Sequence, residues 1–182
     1  ASVAETPRDG ELATALAELR LIKDELEIAQ LEAVVAATHR GFDDVLRAMP
    51  SSTSERHVEG VFALRARVDG NDVGYGTIAA SGANACILHW TRNDAALRKK
   101  DLLLLDAGVE GHSLYTADIT RTVPMSGRFS AAQREVYELV WRAQQAALKA
   151  VKPGADFMQP NREAMRVLAE GLCAMGILRM PV

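Results

Sequence analysis

Early in the chain, hydrophobic positions recur at helical spacing. Between Asp24 and Met49 the apolar residues Ile28, Leu31, Val35, Phe42, Val45 and Met49 follow a 3.6-residue repeat, and Pro50 stops the run. Residues 1 to 23 read as a lead-in, with a short helix over 11 to 21. Ser52, followed three residues later by Glu55, has the form of a capping box and predicts a second helix. That helix carries Val58, Val61, Phe62 and Leu64 and ends near Gly70.

From Tyr75 to Pro124 the helical repeat disappears, and Gly and Asn punctuate short apolar runs. GYGTIAASGANACILHW reads as two strands around a turn at residues 81 to 84, which places His89 in a strand between Leu88 and Trp90. DLLLLDAG predicts a buried strand, Gly111 a turn, and YTADITRTV its antiparallel partner. Ser130 with Gln133 forms another capping box. It opens a helix with Val136, Leu139, Val140 and Ala147 on one face, closed by Lys152, Pro153 and Gly154. Residues 161 to 176 predict a last helix. Helices, then strands, then helices argue for an α+β fold.

Composition narrows the function more than the fold. The 182 residues, 48% of them hydrophobic, can bury one sizeable core. A net charge of −3 leaves no basic stripe, which argues against nucleic acid as the main partner. No apolar run approaches the roughly 20 residues that span a bilayer, and the first 30 residues lack a signal-peptide pattern. A cytoplasmic protein with no membrane partner is the expectation. Cys86 and Cys173 stand far apart without CxxC spacing, which suits a reducing compartment and reads as two buried apolar thiols. The chain starts at Ala1 without an initiator Met and ends on MPV, so both ends read as internal to a longer sequence.

Two aspartates carry the candidate chemistry. If 102 to 107 pairs with 116 to 122, Asp106 and Asp118 can face each other across the ladder with Cβ atoms roughly 5 Å apart. Two such carboxylates repel, and either a shared proton or a cation between them relieves this. Oxygen ligands favour a hard divalent ion, and one carboxylate can bridge two ions about 3.5 to 4 Å apart. Spacing alone favours a plainer reading, with Asp118 as a turn or edge-strand charge and Asp106 as a strand-end residue that caps nearby amides.

LDAG followed by ADITRT resembles the metal-binding hairpin of the creatinase and methionine aminopeptidase superfamily, whose fold is called pita-bread. DITRT, a following Pro and SGRFSAAQREVYELV are most similar to aminopeptidase P, and ILHW resembles the stretch that carries an active-site histidine there and in prolidase. The resemblance implies a curved antiparallel sheet covered by helices. It makes Asp106 a ligand of one metal, Asp118 a carboxylate bridging both, and His89 a catalytic, substrate-binding histidine. The implied cofactors are two divalent ions, commonly manganese. The implied reaction is attack by a metal-bridging hydroxide on the carbonyl before a proline, in peptides with proline in second position.

The remaining histidines carry no such match. His112 at the turn tip reads as solvent-facing, His39 and His57 as surface or packing residues on helices, and Trp90 and Tyr115 as core-packing residues, with lining of the substrate pocket as the alternative.

Two departures from the family pattern follow. The interval from Asp106 to Asp118 is twelve positions, one longer than usual in the superfamily, so an extra residue is expected in the turn or in a bulge near Gly111. The family also completes its site with one histidine and two glutamates, for which this sequence has no counterpart after Asp118. Residues 1 to 20 then correspond to a linker from a preceding domain, and 21 to 182 to the first half of the catalytic domain, inactive by itself. A homo-oligomer, or a complementing second half of the domain, is the implied protein partner. Prolidase and a non-catalytic peptide-binding member of the fold are the alternative readings.

Overall fold

The computed structural model describes residues 6 to 179. Two compact units divide the chain, residues 1 to 127 and residues 128 to 182. In the first, helix α1 (Pro7–Leu21) starts four residues earlier than the expected short helix. The backbone N–H of Thr6 donates to Asp9 Oδ2 at 2.6 Å, which fixes its first turn.

Helix α2 (Glu25–Ala48) begins at a reciprocal cap: Asp24 Oδ1 accepts from the Glu27 N–H at 2.8 Å, and Glu27 Oε2 accepts from the Asp24 N–H at 2.8 Å. Its buried line runs through Val34, Ala37, Thr38, Gly41 and Val45, while Leu31 and Val35 are only half-buried and Phe42 packs against the core from the margin, edge-on to Phe62. Close approach decides the difference. A β-carbon on Gly41 would come within 2.6 Å of the Phe62 ring, so small residues set the contact face.

Helix α3 (Glu55–Asp69) is capped by Ser54, whose hydroxyl accepts from the His57 N–H at 3.2 Å. The expected Ser52 box is therefore corrected. Glu55 is the first helical residue, and its side chain turns into the protein instead of reaching back to a cap. Val58, Phe62 and Ala66 line the buried face, whereas Leu64 is exposed.

Strands β1 (Asp72–Val73), β2 (Ile78–Ser81), β3 (Leu102–Ala107), β4 (Val109–Glu110) and β5 (Ile119–Pro124) follow. They build a three-stranded antiparallel sheet of order β2-β3-β5 and a two-stranded ribbon, β1-β4. Alternation along β3 buries Leu103, Leu105 and Ala107 with Ala79 against Val45, Val58 and Phe62, and leaves Leu102, Leu104 and Asp106 half-buried on the other face. Thr38 ties α2 to β4, because its hydroxyl donates to Val34 O and accepts from the Val109 N–H at 2.9 Å.

The second unit holds α4 (Ala131–Ala150) and α5 (Gln159–Ala174), which pack together. The expected Ser130–Gln133 box is present, with the Gln133 side chain accepting from the Ser130 N–H at 2.9 Å. Leu139, Ala143 and Ala150 form the buried line of α4, while Val136 and Val140 are exposed.

The outer edge of β2 is closed by a side chain. Asn93, fully buried, accepts from the Ala79 N–H at 2.9 Å through Oδ1 and donates to Thr77 O at 2.8 Å through Nδ2. Its amide thus imitates a neighbouring strand. Its backbone lies at φ 47°, which Asn and Asp tolerate better than other L residues. Asn93→Asp preserves that backbone preference but sets a carboxylate oxygen against Thr77 O. It should lower unfolding stability at neutral pH by at least about 2 kcal/mol, measured by denaturant titration. An unchanged midpoint would refute this account of the edge.

Candidate active site

The ladder between β3 and β5 decides how the two aspartates meet. Asp106 pairs with Thr120 and Ala107 with Ile119, and the same offset continues through the Glu110–Thr116 bridge to the Gly111 N–H, which donates to Tyr115 O at 2.8 Å. No bulge interrupts it. Residues 112 to 114 alone make the loop, with Leu114 at φ 67°, so the extra residue lies in the turn.

Asp118 precedes Thr120 by two positions and shares the face of Asp106, but it stands diagonal to Asp106, not opposite. This corrects the expected pairing. Asp106 is half-buried and Asp118 exposed.

A third residue joins them. Tyr75, between β1 and β2, points its hydroxyl at both carboxylates, 2.6 Å from Asp106 Oδ1 and 3.0 Å from Asp118 Oδ1. Burial first, then the two carboxylates, push its phenol far above the ordinary range, so it stays protonated and donates. Its ring can lie there because residue 108 has no side chain. A β-carbon on Gly108 would come within 1.6 Å of Ala117 O and 3.2 Å of the Tyr75 ring. Sequence reading missed Tyr75; the flanking glycines of GYG and the Gly of LDAG were its only signal, since glycine inside strand patterns marks close backbone approach.

His89 is placed differently from expectation. The second strand of GYGTIAASGANACILHW does not form. A 3-10 turn over Gly82–Cys86 leads into an irregular loop, where His89 is exposed with φ 55°. The loop returns along β2: Asn93 bonds Ala79 and Thr77, and Thr91 lies against Gly76, the neighbour of Tyr75. It therefore runs back toward the end of the sheet where Ile78 pairs with Asp106.

Glu55 holds this loop from inside. Its fully buried carboxylate accepts from the Ser81 N–H at 2.8 Å and Asn84 Nδ2 at 3.0 Å on Oε1, and from Trp90 Nε1 and the Ala95 N–H, each at 3.0 Å, on Oε2. Burial by itself raises the pKa of such a group, yet the converging N–H donors outweigh it and hold Glu55 below the ordinary glutamate range.

The chain matches the description Metallopeptidase family M24 over residues 29 to 179. It belongs to metallopeptidase family M24. Xaa-Pro aminopeptidase 1 of Streptomyces coelicolor is 53% identical over 177 residues, 96% of this chain and 36% of that relative. Xaa-Pro aminopeptidase of Escherichia coli is 36% identical over 163 residues, 89% of this chain and 37% of the relative. Among solved structures, Pseudomonas aeruginosa aminopeptidase PepP superposes with a TM-score of 0.86 at 36% identity, covering 93% of this chain and 38% of that one. Zinc-substituted E. coli aminopeptidase P in complex with product gives 0.83 at 35% identity, covering 90% and 37%. The M24 chain thus has the pita-bread fold in part, and spans little more than a third of the relatives it matches.

Within this M24 chain the other candidates have structural places. His39, His57 and His112 are exposed, as expected. Trp90 is held by Glu55, and the Tyr115 hydroxyl donates to Glu27. The expected pair of buried thiols is corrected: Cys86 is exposed and Cys173 half-buried, Cys86 because it closes a turn that leaves the sheet. Among the described residues, no group of three or more His, Cys, Asp or Glu is placed to hold a metal ion. Asp106 and Asp118 fit a hard divalent cation as oxygen donors, and they leave most of its coordination to be filled from elsewhere.

If the Tyr75 hydroxyl holds the carboxylate pair in place, Tyr75→Phe should lower the stability of the metal-free protein by about 1 to 3 kcal/mol. Saturating manganese should narrow that deficit, because a cation relieves the same repulsion. Denaturant unfolding with chelator and with manganese measures both, and an equal deficit in the two conditions contradicts the shared role.

Proposed function

We propose that this chain is part of an aminopeptidase P-like metallopeptidase, which removes the first residue of peptides with proline in second position. The observation that carries the reading is the convergence of Asp106 and Asp118 on one hydroxyl, on one face of the hairpin, in an M24 chain 53% identical to a named Xaa-Pro aminopeptidase. In this reading residues 21 to 182 belong to the catalytic domain and residues 1 to 20 lead into it.

Asp106 and Asp118 are the residues that would hold divalent metal, two ions and manganese by preference, through their carboxylate oxygens. When bound, such ions lower the pKa of water and supply a nucleophile near neutral pH. The chain's own residues bind and orient. Tyr75 keeps a protonated hydroxyl between the two carboxylates and limits their rotation. His89, exposed at the crest of its loop, donates a hydrogen bond to the scissile peptide and to the charge that develops on its carbonyl oxygen. Preference for proline answers a physical problem: an Xaa-Pro bond lacks an N–H, so a site recognising the ring cuts where sites that grip that N–H fail.

Two carboxylates alone hold a divalent ion weakly compared with a full ligand cage. The 182-residue chain by itself is therefore expected to bind manganese weakly and to turn over no substrate.

Full-length protein with manganese should hydrolyse an Xaa-Pro-Yaa tripeptide, and Asp106→Ala or Asp118→Ala should each cost more than about 100-fold in kcat/KM, beyond what outer ligand partners cost. Calorimetry on the same variants should show the loss of manganese sites. Turnover confined to Xaa-Pro dipeptides would make it a prolidase. Absence of manganese binding in the unsubstituted protein would favour a non-catalytic peptide-binding member of the fold.

A further inference from the structure

We propose that Glu55 is a positioning residue for His89, acting through the loop it clamps from beneath. The inference rests on the reading of His89 as the residue beside the substrate. His89 adopts φ 55°, a conformation that a β-carbon disfavours. Being exposed, its side chain has little burial to offset that cost. A backbone in this region persists where its surroundings over-determine it, and such places cluster at working sites.

Glu55 supplies the determination. Oε1 binds the outgoing end of the loop, at the Ser81 N–H and the Asn84 side chain. Oε2 binds the returning end, at the Trp90 indole and the Ala95 N–H. His89 stands between these ends, one residue before Trp90. Backbone bonds beside the clamp fix its own position, since the Glu55 N–H donates to Ala95 O and the Leu97 N–H to Thr53 O, each at 3.0 Å. Above it, the Arg92 guanidinium lies 5.4 Å from the Trp90 ring centre and pairs with Asp94 at 2.7 Å. Asn93 then anchors the loop to β2.

The partners that hold the carboxylate are all N–H donors, which makes its charge essential to the clamp. A neutral amide of the same shape has one oxygen and one NH2 group. Whichever way Glu55→Gln turns, its NH2 faces a backbone N–H, at Ser81 or at Ala95, and one end of the loop is released. No reorientation satisfies both, because backbone donors cannot flip as the Asn84 amide can.

The test uses the full-length protein with manganese and four forms: unsubstituted, Glu55→Gln, His89→Ala and the double variant. Glu55→Gln should lower kcat roughly 10- to 100-fold, the scale of a reacting group displaced by about 1 Å, with KM and manganese content little changed. In the His89→Ala background the same substitution should cost nothing further. Hydrogen exchange should accelerate over residues 82 to 95 and stay slow over Leu102–Ala107. An equal loss in the His89→Ala background, or unchanged exchange over 82 to 95, overturns the proposal.

If Glu55→Gln does not fold, Trp90→Phe carries the test. It deletes one donor to Oε2, and a few-fold lower kcat with faster exchange in the loop is expected; no change in either overturns the proposal. A lack of Xaa-Pro turnover in the unsubstituted protein counts against the aminopeptidase reading alone, and the exchange comparison then decides on the clamp.

Discussion

The site depends on one constraint, the unbroken register of the hairpin from Leu102 opposite Pro124 to Glu110 opposite Thr116. Side chains along a strand alternate between faces, so a slip of one residue would send either aspartate into the core. With the register as it stands, Leu103, Leu105 and Ala107 face the helices, and Asp106 and Asp118 share the opposite face. The apolar burial that folds the sheet and the chemistry proposed for it are therefore one choice of register. The insertion-tolerant part of the hairpin is its tip, and that is where the additional residue lies.

The hairpin and the His89 loop are held by different physics. Burial along β3 is non-directional and spread over many contacts, whereas the loop hangs on a few directional bonds to Glu55 and Asn93. Burying a carboxylate without a counter-ion is costly, yet several N–H groups reaching one anion in a region without water compensate that cost. Such an arrangement is nearly all-or-none, because a donor left without its acceptor loses the bond and keeps the desolvation. It suits a segment that must be irregular and fixed at once.

This difference explains what could be read from the sequence. LLLLDAG and DITRTV announce their strands by apolar runs and spacing, and both aspartates were found from them together with the family resemblance. Helix caps at Ser130 and the helices near 24–49, 55–69 and 161–176 were legible for the same local reason. ILHW has the apolar look of a strand, whereas its conformation depends on Glu55, 35 residues before Trp90, which no periodicity marks. Glu55 itself has the spacing of a capping partner, since a glutamate three residues after a serine looks the same in sequence whether it turns out or in. Tyr75 carries no local mark, because its partners Asp106 and Asp118 lie 31 and 43 residues further along the chain. Local patterns reveal elements that stabilise themselves; residues whose partners lie far along the chain leave almost no trace.

Electrostatics then sets what the carboxylate pair can do. Both aspartates accept from one hydroxyl, so their Oδ1 atoms lie no more than about 6 Å apart, where two unit charges repel by about 1 kcal/mol in water and about 3 kcal/mol at an effective dielectric of about 20. Tyr75 has a single proton to share between two anions. It can orient the pair and cannot neutralise it. What relieves the remaining repulsion is positive charge between the two oxygens. A hard divalent ion, taking oxygens of both residues as ligands, would supply it and would draw binding energy from the same repulsion; membership of a metallopeptidase family favours that outcome.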